Sequence, residues 1–329
     1  MNPFTYVAVT VEGHAFDAYA GQANSAFLAG GTNLIDYAKL GVQQPDHLVD
    51  INALPMARIE ALPDGGVRIG ANVRNTDLAH DTSIKQKYPA LSEAILSGAS
   101  PQLRNMATTA GNLLQRTRCW YFRDIAYPNC NKRQPGSGCA AIEGFNRTHA
   151  ILGTSDQCIA THPSDMDVAM ALFGTTVRVK GPKGEREIPI ESFYVPYGDD
   201  PAKETTLQRG ELITAVDLPG AKWFSRSHYL KVRDRASYEF ALTSAAVALE
   251  IEGGVIREPR IALGGVATMP WRAKAAEAVL KGAKPDEKTF LAAAEAELKA
   301  AKPQKHNAFK VELSKRTIVR ALQTVTAMT

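Results

Sequence analysis

Alternating and short apolar runs, broken by glycine, proline and aspartate, dominate the first two thirds of this chain, and helical spacing takes over near its end. Residues 4 to 20 mix short apolar patches with polar turns. Ala26 to Leu34 predicts a strand running into a glycine turn, with a helix-like segment from Leu34 to Leu40. His47 to Ile51 predicts another strand, and Ala57–Glu60 with Gly66–Ala71 a hairpin around Pro63-Asp64-Gly65-Gly66. From Thr76 the apolar positions Leu78, Ile84, Leu91, Ala94, Ile95 and Leu96 fall on helix faces. Thr176–Lys180 and Arg186–Ile190 predict strands joined at Gly181-Pro182-Lys183-Gly184, followed by Leu212–Leu218 and a boundary near Ala221. Beyond it, His228–Arg233 alternates, Phe240–Ile251 is a mostly apolar segment leading to a turn at Gly253-Gly254, and Arg260–Val266 returns. Three helices are predicted at Arg272–Leu280, Glu287–Ala300 and Asn307–Val325.

Composition adds bounds. With 329 residues, 45% hydrophobic and 22% charged, the chain is long enough for two or three globular domains. A formal net charge of +4, without a run of five or six like charges, demands neither nucleic acid nor an anionic membrane as partner. The start Met-Asn-Pro-Phe-Thr-Tyr-Val lacks the features of a secretory leader, and no apolar run has the length of a membrane span. No membrane insertion is expected, and the compartment would follow from a partner's signal.

The candidate chemistry lies in two glycine loops and one cysteine-rich segment. Ala29-Gly30-Gly31-Thr32-Asn33 brings backbone N–H groups, a hydroxyl and an amide together, as a pyrophosphate cradle requires, and also suits a plain strand-to-helix turn. Ala107-Thr108-Thr109-Ala110-Gly111-Asn112 repeats that chemistry. Ser164 and Asp165 mark a helix start, with Asp165 the expected cap. His162 is expected to bond the local backbone. All four cysteines, Cys119, Cys130, Cys139 and Cys158, fall in one loop-rich segment, so a shared ligand is expected. Disulfides, a structural zinc and an iron–sulfur cluster all accommodate four thiols, and the spacing does not separate zinc from iron.

Taken together, the two loops, the Ser164-Asp165 start and Ile261-Ala262-Leu263-Gly264-Gly265-Val266 closing on Pro270-Trp271-Arg272-Ala273 resemble one family. It is the FAD-binding medium subunit of the molybdenum hydroxylases, the group of xanthine dehydrogenase and carbon monoxide dehydrogenase. The cysteine segment, with Thr117-Arg118-Cys119-Trp120-Tyr121-Phe122, Asn129-Cys130-Asn131-Lys132-Arg133 and Gly136-Ser137-Gly138-Cys139, narrows the resemblance to the bacterial periplasmic aldehyde oxidoreductases. Their flavin subunit holds a [4Fe-4S] cluster besides FAD.

The resemblance implies an α+β fold: a two-lobed FAD-binding domain of the vanillyl-alcohol-oxidase/CO-dehydrogenase flavoprotein type, then a C-terminal antiparallel sheet with a three-helix bundle. The implied division is 1–53 for the N-terminal lobe, 54–221 for a second lobe with a [4Fe-4S] insert at about 116–160, and 222–329 for the C-terminal domain. Phe27, Leu28, Ala29, Gly30, Gly31, Thr32, Asn33 and Leu34 would wrap the FAD pyrophosphate. Thr108, Gly111, Asn112 and Gln115 would form a second wall, Asp165 would hold the flavin's polar side, and Lys231 would bring the C-terminal domain to it. The four cysteines would ligate the cubane, with Arg116, Arg118, Lys132 and Arg133 either offsetting its charge or serving surface solubility.

The implied function is electron transfer from a [2Fe-2S] small subunit, supplied by a molybdopterin large subunit that oxidises an aldehyde, through FAD to an external acceptor. The assembly would be a heterotrimer or its multimer, periplasmic by co-export with a signal-bearing partner and cytoplasmic otherwise. No catalytic acid, base or nucleophile is expected here. Two other readings stand beside this one: the flavin subunit of a hydroxybenzoyl-CoA-type reductase, and a flavin-free, zinc-stabilised structural subunit.

Overall fold

A computed structural model of the protein describes residues 1–328. Three sheets organise it. The first is parallel: β1 (Thr5–Ala8) and β2 (Ser25–Leu28) flank β3 (His47–Asp50), with His47 opposite both Thr5 and Ser25. Parallel neighbours need crossovers, and helices Glu12–Ala20 and Leu34–Lys39 provide them. The mixed pattern of residues 4 to 20 thus resolves into a strand and a helix.

The second sheet is antiparallel, in the order β4 (Ile59–Ala61), β5 (Val67–Gly70), β8 (Leu212–Leu218), β6 (Thr176–Gly181), β7 (Gly184–Pro189). Helices between Asn75 and Leu113 and the helix Asp165–Phe173 pack with it into one core. The third sheet, also antiparallel, runs β9 (Ser227–Val232), β10 (Thr243–Glu252), β11 (Val255–Gly264), β12 (Trp271–Arg272). Arg272 therefore belongs to a strand, paired with Ala262 and salt-bridged to Glu277, and the following helix begins only at Lys274.

The apolar run leading into β10 is explained by burial on both faces. Ala246 and Ala248 point into the first core, while Ala245, Val247 and Leu249 point into a second core built with helices Lys274–Leu280, Glu287–Leu298 and Phe309–Thr326. Gly264 on β11 makes the first contact close: a Cβ there would lie 2.5 Å from Val168 Cγ2 on the helix Asp165–Phe173. That closeness fixes where the helix start, and hence Asp165, sits against β9.

The cysteine-bearing insert is mostly irregular, with short helices at Trp120–Arg123 and Ala140–Glu143 and isolated bridges Cys130↔Cys139 and Ser155↔Cys158. Charged side chains fasten it on several sides. Arg118 and Arg123 reach Asp36 of the helix Leu34–Lys39, Arg116 and Lys132 reach Glu204, and Arg147 reaches Asp234. No described helix is long and apolar enough to cross a membrane.

Candidate cofactor cleft and cysteine site

The strand β2 ends in the loop Ala29–Asn33, and the loop conformation follows from its glycines. Gly31 adopts φ 73°, a left-handed backbone that favours glycine. A Cβ on Gly30 would fall 1.9 Å from the Met106 carbonyl oxygen, so only glycine lets this loop pass the segment Met106–Ala107. The N–H groups of Gly30, Gly31, Thr32 and Asn33 have no hydrogen-bond acceptor among the described residues. Such a row of free donors is suited to an anion.

The second loop lies against the first. Thr108 caps the helix Thr109–Leu113 by accepting from Gly111 N–H, and is buried. Asn33 Nδ2 donates to Gly111 O at 3.0 Å, and Asn33 Oδ1 accepts from Arg118 at 2.7 Å. A further chain of bonds joins the loops from behind: Asn52 donates to Ala29 O, and Arg74 donates both to Asn52 Oδ1 and to Met106 O. Asn112 Oδ1 accepts from Ser164 Oγ at 2.9 Å and from Gln115.

Asp165 completes the wall. Ser164, not Asp165, is the helix cap, accepting from Asp167 N–H at 3.0 Å. That leaves the Asp165 carboxylate free for tertiary partners. Tyr229 and Lys231 alternate on the same face of β9; Lys231 Nζ pairs with Asp165 Oδ2 at 2.7 Å, and Tyr229 OH donates to Oδ1 at 2.5 Å. Side-chain exposures of 4% and 8% make the Lys231–Asp165 pair buried rather than solvated. Burial, followed by the charge of Asp165, pushes the Tyr229 phenol well up, so it stays a donor.

Thr32, Asn33, Asn112, Gln115, Asp165 and Lys231 line one cleft of about 980 Å³. The side chains of Phe27 and Leu34 turn elsewhere. Phe27 stacks on Tyr19 with centroids 4.5 Å apart, and Leu34 lines a small hollow with Met1 and Phe4. The cleft has walls that the sequence did not suggest. Asp36, Arg123, Trp120, Tyr238 and Phe240 contribute, and Tyr238 and Ala99 both hold positive φ values, 52° and 50°. Burial alone would raise the Asp36 carboxyl; Arg123 and Arg118 outweigh it and hold it below the usual carboxylate range. Asp36 looks like any surface residue of a short helix, and no local signal could have found it.

All four cysteines are free and line one narrow pocket. Burial pushes the Cys119 thiol up to about 12 against the opposing N–H groups of Phe122 and Tyr121. Cys139 and Cys158 share a hydrogen bond, which lowers Cys139 and raises Cys158. His149 Nε2 lies 3.1 Å from Cys119 Sγ, and burial, then Lys310, lowers this imidazole to about 4. Among the described residues no three His, Cys, Asp or Glu side chains converge as a single metal ion requires.

The basic residues of the insert are anchors rather than surface solubility groups. Lys132 is 1% exposed, bonds Glu204 and Pro201 O, and stands 3.9 Å from the Tyr197 ring centre. Arg133 donates to the carbonyls of Tyr121, Phe122 and Tyr127. His162 departs from expectation too: its ring bonds Asp167 at 2.8 Å, and Tyr194 OH donates to the same carboxylate oxygen. Only the His162 backbone N–H bonds a carbonyl, that of Ala267. A chamber of about 100 Å³ lies between Cys119, His149, His162 and Ser164, and shares Arg118, Trp120, Asp165 and Phe240 with the cleft.

Two facing glycine loops and a buried acid–lysine pair around one long cleft, on this α+β frame, define a nucleotide-holding class of protein. The chain belongs to the family of FAD-binding subunits of the molybdenum hydroxylases. The FAD binding domain in molybdopterin dehydrogenase matches residues 2–221, and the CO dehydrogenase flavoprotein C-terminal domain matches residues 228–325. The chain is 50% identical over 327 residues to the aldehyde oxidoreductase FAD-binding subunit PaoB of Escherichia coli K12, with 98% of each chain covered. It is 27% identical over 281 residues to the carbon monoxide dehydrogenase medium chain of Hydrogenophaga pseudoflava, covering 85% of this chain and 80% of that one. The solved carbon monoxide dehydrogenase from H. pseudoflava superposes with a TM-score of 0.77 at 25% identity, covering 99% and 98%. The protein is thus an FAD-binding oxidoreductase subunit; none of these names mentions an iron–sulfur group.

Proposed function

We propose that this chain is the FAD- and [4Fe-4S]-carrying electron-transfer subunit of a molybdenum-dependent aldehyde oxidoreductase. The observation that carries the reading is the joining of two features in one fold: a cleft walled by both glycine loops, and four free thiols in one pocket, with Arg118 and Trp120, the chain neighbours of Cys119, lining the cleft. In this reading residues 1–53 and 54–221 form two FAD-binding lobes, with the insert at about 116–160, and residues 222–329 a C-terminal domain. Within the segment Phe27–Leu34, the free N–H groups of Gly30, Gly31, Thr32 and Asn33 are offered to the pyrophosphate, and Thr108, Gly111, Asn112 and Gln115 hold the opposite wall. Asp165 meets the flavin's polar side, and Lys231 keeps that carboxylate aimed. Bound FAD supplies one- and two-electron redox chemistry, which the protein positions and screens from water.

The donor set at the cysteines suits a cluster of four irons better than a single ion. A lone zinc draws four ligands to one point, and no three candidate ligands converge in that way. A cubane spreads its thiolates over separate loops, as the four cysteines here are spread. Lys132 lines this pocket, and Arg116 stands over the ring of Phe122, which lines it too. The partners in this reading are a [2Fe-2S] small subunit and a molybdopterin large subunit, supported by 50% identity to an aldehyde oxidoreductase subunit. Export bound to a signal-bearing partner belongs to the same proposal.

The test is to quantify iron, acid-labile sulfide, zinc and released flavin on one anaerobically purified sample of the complex. FAD with about four iron and four sulfide per chain, above the content of the partner subunits, is the expected result. FAD without the extra iron leaves the flavin assignment and removes the cluster; zinc without flavin overturns both.

A further inference from the structure

His149 serves no part of the flavin cleft, yet it is 2% exposed and its ring is aimed at Cys119. Its two nitrogens are unequally placed. Nε2 lies 3.1 Å from Cys119 Sγ, and Nδ1 is buried with no hydrogen-bond partner. A neutral imidazole carries one N–H and one lone pair. A buried N–H without an acceptor is the costlier orphan, so the proton belongs on Nε2, directed at sulfur.

The ring is held there from a distance. Lys310, fully buried in the helix Phe309–Thr326, donates to the carbonyls of Thr148, His149 and Gly265. Asn307 Nδ2 donates to the carbonyls of His149 and Ala150. The C-terminal helix and Asn307 just before it thus grip the backbone of residues 148–150, and the imidazole projects from that grip against one cysteine. A side chain that only filled space would need neither this fixture nor this orientation.

Resting on the cluster reading above, we propose that His149 is a positioning and tuning residue for the iron–sulfur centre, donating Nε2–H to the Cys119 thiolate and raising the centre's reduction potential. The physical reason is charge. A donor at a ligand sulfur stabilises the more negative, reduced cluster more than the oxidised one.

The experiment uses the intact complex with His149→Ala and His149→Gln, the latter retaining an N–H donor. Iron content is measured first, then the cluster potential by a redox titration followed by electron paramagnetic resonance. The alanine variant is expected to titrate at lower potential than wild type, with the glutamine variant restored toward wild type and flavin content equal in all three. Iron lost from the alanine variant but kept in the glutamine variant supports the donor equally. A potential unmoved in the alanine variant, or iron lost from both variants, overturns the assignment. Wild-type complex without the extra four irons would instead overturn the cluster reading itself, so the two failures are distinct.

Discussion

A methyl group on Gly30 has no room: it would meet Met106 O at 1.9 Å and the Met106 carbonyl carbon at 2.7 Å. Both are backbone atoms, so a loop must move. Gly30→Ala is expected to cost about 1–3 kcal/mol and, by parting the loops, to release most of the FAD while circular dichroism stays native. Full flavin retention would show that the two loops do not close on the cofactor. At the Asp165–Lys231 pair the stakes are electrostatic. Lys231→Met leaves a buried carboxylate with Tyr229 alone, and a loss of about 3–5 kcal/mol is expected in urea unfolding. A loss below ~1 kcal/mol would mean that water reaches Asp165.

At the scale of elements, the cysteine insert depends on its anchors, because its own helices span only four residues each. Glu204 is the central one, bonded to Arg116 at 3.1 Å and Lys132 at 2.7 Å. Burial would raise its carboxyl, and Lys132 with Arg116 overcome this and lower it from 4.5. The sign of the linkage follows: its contribution is whole above pH ~4.5 and is lost as the pH falls through the lower folded value. Glu204→Gln is expected to cost about 3 kcal/mol at pH 7, since Lys132 remains buried without its counter-ion. The variant should also lose stability less steeply than wild type on acidification below pH ~4.5. Parallel acid-unfolding curves for the two proteins would refute the anchor.

For the whole molecule, β10 is the shared wall of both cores, with Ala246 and Ala248 facing one and Leu249 and Val247 the other. Damage to either core therefore reaches the cleft through β9 and Lys231. Leu249→Ala should cost about 2–5 kcal/mol and lower the melting of both cores together, as one calorimetric transition. Two separated transitions, with only the later residues destabilised, would show that the C-terminal part melts on its own. The insert adds to this coupling, since it touches Asp36 early in the chain, Glu204 in the middle and Lys310 near the end.

Local rules carried much of this design. Alternation placed β5 to β9 and helical spacing the late helices, because those periods follow from backbone geometry alone. The glycine loops were legible because only glycine tolerates such backbone approach, and the cysteines because their clustering is visible in one dimension. Residues 4 to 20 show no single element in their pattern and Arg272 reads as helix, since their strands exist only through partners: β1 through β3, and β12 through β11. The remaining site belongs to tertiary structure. Lys231 meets Asp165 across 66 positions, Arg118 meets Asp36 across 82, and Lys132 meets Glu204 across 72. A charged side chain carries no mark of its distant counterpart, and only the folded chain brings the two within reach and away from water.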